Sequence, residues 1–152
     1  MINVTPIAIS ANSQQYAVSI TENLCQCYCL NATVQPQAEV KYSVASQQVL
    51  NGMTYLTILA KGSITYMPRG SNPRCCCRPL TKMFTESFDV IFAGVITTAP
   101  TLTVGETLES AANVKCNGNV HGYNLLTPVT IAFATTASTE ETSSVAVANS
   151  KK

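Results

Sequence analysis

The sequence predicts an all-β domain, an antiparallel β-sandwich with jelly-roll-like rhythm and about nine or ten short strands. Three observations carry this. Apolar residues alternate with a period of two along most of the chain, as in Tyr16-Val18-Ile20, Val40-Tyr42-Val44 and Phe88-Val90-Phe92. Turn chemistry interrupts these runs roughly every eight to twelve residues. Good helix formers gather only in Glu106–Ala112, enough for one short helical turn.

Taken in order, Ile2-Val4 and Ile7-Ile9 alternate on either side of Pro6 and read as an N-terminal arm, residues 1–10. Tyr16-Val18-Ile20 is the first clear strand. Cys25, Cys27 and Cys29 then share one face of the next, with Leu24, Tyr28 and Leu30 on the other, so both faces are largely non-polar. Pro36 ends it. Residues 40–67 read as a three-stranded meander with turns at Asn51-Gly52 and Lys61-Gly62. Asn-Gly is the stronger signal, because both central positions of a type I′ turn need positive φ. Pro68–Pro73 is a loop by composition, followed by the run Cys75, Cys76, Cys77 and then Pro79. Phe88–Phe92 and Leu102-Val104 are strands. Asn117-Gly118 is a second hairpin signal, and Pro128 opens the last strand, Val129–Phe133. Residues 1–134 therefore form one domain. Residues 135–152 form a Ser/Thr/Ala-rich tail that frays unless a neighbouring subunit holds it.

With 152 residues and 46% hydrophobic content, the chain can bury a core without covalent staples, so its seven cysteines are not compensating for small size. Charged residues make up only 11%, with a net charge of +1. That excludes a basic nucleic-acid-binding face. It suits a surface covered by other subunits better than a free-standing monomer. Arg69, Arg74 and Arg78 flank the second cysteine run; they read as a solvated loop first and as an acidic partner contact second. No apolar stretch reaches the length of a membrane span, and the start Met-Ile-Asn-Val-Thr-Pro lacks signal-peptide character. The expectation is synthesis in the cytoplasm with reduced thiols.

Catalytic signatures are sparse. Cys116, His121 and Asp89 can be written as a triad, but a lone histidine beside a predicted turn is ordinarily a solvated loop residue. There is no phosphate-binding glycine loop and no Cys-x-x-Cys pair. The cysteines admit three readings. The favoured one is a strip of buried thiols formed by Cys25, Cys27 and Cys29 with Cys75, Cys76 and Cys77 on a neighbouring strand. Residues i and i+2 on one strand lie roughly 6.5–7 Å apart, too far for a regular disulfide, so any bridge must cross strands. The second reading is cross-strand or intersubunit disulfides. The third is zinc held by thiolates drawn from Cys25, Cys27, Cys29, Cys75 and Cys77, which Arg74 and Arg78 would favour electrostatically. Cys116 is left over as a free thiol or an intermolecular partner.

In composition and strand rhythm the chain resembles virion proteins as a broad class: head-decoration, auxiliary capsid, tail or fibre components. That resemblance implies a non-enzymatic structural subunit without cofactors. It would contact copies of itself and a larger capsid or tail protein in a tailed bacteriophage particle assembled in the host cytoplasm. The alternatives are a zinc or redox module built on the cysteines, and a surface- or carbohydrate-binding sandwich.

Overall fold

Asn51 and Gly52 adopt φ of 53° and 77°, the left-handed pair that a type I′ turn requires, and they close the hairpin that organises one sheet. The computed structural model describes residues 1–29, 36–67, 79–114 and 119–134. Its strands are β1 (Ile2–Ile9), β2 (Ser13–Cys29), β3 (Gln37–Leu50), β4 (Met53–Tyr66), β5 (Leu80–Ala93), β6 (Thr101–Val104), β7 (Leu108–Val114) and β8 (Asn119–Ala132). Sheet A has the order β1-β2-β8-β6, with β7 also pairing β8, and sheet B is the meander β3-β4-β5. All pairings are antiparallel. The predicted all-β sandwich is the observed architecture.

The strands are fewer and longer than the turn signals suggest, for specific reasons. Lys61-Gly62 is not a turn but lies inside β4, where Gly62 pairs with Val40 and Phe84. A Cβ on Gly62 would fall 2.6 Å from Phe84 Cζ and collide with the Glu39 carbonyl oxygen, so the glycine makes room for the ring. Glu106–Ala112 contains no helical turn: from Leu108 the chain pairs with β8, and sheet pairing overrides local helix propensity. Residues 2–9 run as edge strand β1, with Ile2 and Val4 packed on the core. Pro128 does not open the last strand but sits in the middle of β8. Having no N–H to offer, it faces the break between β6 and β7, where Gly105 N donates to Pro128 O at 2.8 Å.

The core lies between the sheets. Val18, Ile20, Leu125, Val129 and Ile131 from sheet A meet Leu56, Ile58, Ile64 and Phe92 from sheet B, all fully buried. Phe92 and Phe133 pack edge to face with centroids 4.8 Å apart.

Candidate functional site

The cysteine end comes first. Cys25, Cys27 and Cys29 lie on a strand, as expected, but it is the same β2 that carries Tyr16, Val18 and Ile20 rather than a separate one; Cys25 and Cys27 fall within a register shift between Asn23 and Tyr28, and Cys29 lies beyond it. On one side this part of β2 pairs with the start of β8, through Tyr28↔Val120 and Cys29↔Asn119. Cys75, Cys76, Cys77, Arg69, Arg74, Arg78 and Cys116 lie outside the described residues. The strands that flank Cys75–Cys77, β4 and β5, belong to sheet B, where Tyr66 pairs with Leu80. Gln14 of β2 contacts Ile91 of β5, and Glu22 contacts Glu86, so the two strands run in opposite senses. Cys29 and Leu80 therefore lie toward the same end of the sandwich. Among the described residues no cluster of three His, Cys, Asp or Glu side chains could hold a metal. Asp89 and His121 lie on different sheets, in β5 and β8, and Asp89 accepts a hydrogen bond from Thr57 at 2.7 Å on the outer face of sheet B.

A second cluster was not anticipated. Glu22 and Glu86 approach across the gap between the sheets, with the Met1 ammonium 3.3 Å from the first and 2.9 Å from the second. Burial, reinforced by the hydrogen bond with Glu86, lifts the Glu22 pKa above the ordinary carboxylate value. Glu86, which accepts that bond and also pairs with Met1, is lowered. Burial works against the Met1 ammonium, but its bonds to Glu86 and Glu22 outweigh that and raise it. The arrangement ties the two sheets through one ammonium and two carboxylates. No periodicity signals it, because the two glutamates meet only through tertiary packing.

The outer faces of the two sheets differ in kind. On sheet A, β2 presents Ser13, Gln15, Ala17, Ser19, Thr21 and Asn23, and β8 presents Asn124, Leu126, Pro128, Thr130 and Ala132. Asn3, Thr5 and Ala8 of β1, Thr101 and Thr103 of β6, and Leu108, Ser110 and Ala112 of β7 continue the same face. None of these residues is charged. Part of the polarity is satisfied within the face: Asn124 Nδ2 donates to Ser19 Oγ and Thr21 Oγ1, both at 2.8 Å. Sheet B is the charged side. Lys41 and Lys61 pair directly across β3 and β4, and its outer face has a shallow depression of about 400 Å³ lined by residues including Gln48, Leu50, Tyr55, Asp89 and Ile91.

No protein-family model, curated protein or solved structure matches the chain. The class defined by its own features is therefore an antiparallel β-sandwich with one uncharged sheet face.

Proposed function

We propose that this chain is a non-enzymatic structural subunit of a larger protein assembly, and within that class a virion component of a tailed bacteriophage: a head-decoration, auxiliary capsid or tail protein. The supporting observation is the outer face of sheet A, which spans five strands without a charged side chain. Burying a charge against a partner costs several kcal/mol unless it is paired, and this face avoids that cost. The side chains of Asn124, Ser19 and Thr21 at its centre are paired with one another, so covering them does not leave these groups unsatisfied. The partners are copies of the chain and a larger shell or tail protein.

Charge insertion tests the assembly reading. A17K and T130E place charges on this face without touching the core, so they leave the fold intact and abolish association of this face with the larger shell or tail protein. Unchanged association in both variants would count against it. The virion reading is tested by mass spectrometry of purified particles, which should contain the chain in stoichiometric amount; absence from particles refutes it. Elemental analysis of protein purified without chelator addresses the cysteine alternative, which near-stoichiometric zinc would favour.

A surface-binding reading has one observation in its favour, the depression beside Tyr55, Gln48 and Asp89 on sheet B. Saturable binding of a soluble glycan, lost in Y55A, would support it.

A further inference from the structure

We propose that the free edge of β5 pairs antiparallel with the same edge of a second copy, about a two-fold axis through Ser87. This rests on the assembly reading above and names one of its contacts.

The sandwich has long exposed edges, and they are not alike. An unpaired edge is a template for another strand, and proteins usually blunt it with proline, a bulge or charge. β1 carries Pro6 and a register shift between Pro6 and Ala8. β3 carries a shift between Val44 and Ser46. β5 pairs with β4 from Ala93 to Leu80 with no shift, has no proline, and pairs with no described strand on its other side.

The turn fixes which backbone groups face out. A two-residue type I′ loop makes Leu50 and Met53 the closing hydrogen-bonded pair, so Met53 turns its backbone toward β3 and Thr54 turns toward β5. Thr54 then bonds Phe92, and Ile91 turns its N–H and C=O to the open side. Gln14 Nε2 donates to Ile91 O at 2.8 Å, in agreement with that orientation. With no shift along β5, Met83, Thr85, Ser87 and Asp89 share it.

The side chains of these same residues are self-complementary about Ser87. Met83 and Ile91, which are 70% and 47% exposed, stand equally far from Ser87 on either side. In the two-fold register Met83 lies opposite Ile91 of the second copy, Thr85 opposite Asp89, and Ser87 opposite itself. Asp89 Oδ1 accepts from Thr57, which leaves Oδ2 for the Thr85 hydroxyl across the axis. Shifting the axis to Glu86 would set like charges directly opposite each other, which is destabilising. The carbonyl of Ile91 has a second lone pair, so the Gln14 bond does not block the ladder. An overlap from Thr81 to Ala93 is roughly 45 Å long but one strand wide, at the low end of interface sizes, so association in the micromolar range is expected.

The test is light scattering after size exclusion at ~100 µM, well above such a dissociation constant. The wild-type chain should run at twice its 16.2 kDa mass. S87P removes an outward-facing donor, I91K removes the apolar pair, and both should run as folded monomers by circular dichroism. M83E/I91K should restore the dimer, because the register sets the two new charges opposite each other, and high salt should weaken it. A monomeric wild type overturns the proposal, as does a dimer that survives I91K, or a double variant that stays monomeric. Should S87P fail to fold, I91K and its rescue decide alone. A dimer lost in A17K but kept in I91K overturns the β5 pairing and leaves the assembly reading standing. Absence of the chain from particles, with the I91K result as expected, overturns the virion reading alone.

Discussion

Gly62→Ala should destabilise the fold, although the residue replaces a glycine inside a strand. Strand glycine is usually a liability, and Ala would recover about 0.5–1 kcal/mol of backbone entropy. Here the added Cβ falls 2.6 Å from Phe84 Cζ, against about 3.5–4.0 Å for a relaxed carbon contact, so the ring must move by about 1 Å. Phe84 is buried and has little room to yield. The Glu39 carbonyl oxygen, the other close neighbour, is backbone held by the β3–β4 ladder. Overpacking typically costs about 1–3 kcal/mol, and two collisions, one with backbone, put this site at the upper end. After the entropy gain is subtracted, the net loss is about 2 kcal/mol, or roughly 4–8 °C in melting temperature for a chain of this length. Urea denaturation should show a lower midpoint at unchanged slope. In a Phe84→Leu background the penalty should shrink, since only the carbonyl contact persists. An equally stable Gly62→Ala variant, or a penalty indifferent to Phe84→Leu, would refute the packing argument.

Tyr42→Phe should stabilise by up to about 1 kcal/mol, because the buried Tyr42 hydroxyl has only a marginal contact with Thr127, whose own hydroxyl is committed to Thr107 at 2.8 Å; thermal melts measure this. Asn51→Ala should cost about 1–2 kcal/mol, since the hairpin holds that residue at φ 53°, and an unchanged unfolding midpoint would argue against the turn assignment. The glutamate tie gives opposite pH signatures. Glu22 binds its proton more tightly folded than unfolded, so its contribution to stability falls as pH rises from the ordinary glutamate value through its raised one. E22Q should therefore gain on wild type across that window. Glu86 is lowered when folded, so its contribution is present above the ordinary value and lost as pH falls through the lowered one. E86Q should be the less stable variant at neutral pH and converge with wild type in acid; urea titrations from pH 3 to 7 separate the two.

What could be read in advance was whatever local chemistry decides. Asn51-Gly52 is a turn because two adjacent positions need positive φ, and no distant residue alters that need. Cys25, Cys27 and Cys29 fall on a strand because alternation is a local pattern. Lys61-Gly62 misled because the same residue type serves two physical ends, and only the pairing with Phe84 reveals that Gly62 makes space rather than a bend. Leu108–Val114 misled because its pairing with β8 outweighs its helix formers. The uncharged face could not be read at all until the strands were paired, since its residues come from five separate segments. Composition could say only that charge was scarce. Among the described strands it is also segregated: Glu39, Lys41, Lys61 and Asp89 stand on the outer side of sheet B, while Glu22 of sheet A turns to Glu86 and Glu109 bonds the Tyr123 hydroxyl rather than joining the outer face. A low charge count spread evenly over both sheets would leave no face free of it. With the outward charges of the described strands on sheet B, sheet A keeps a broad neutral surface, and that asymmetry is the strongest physical reason to look for a neighbour against it.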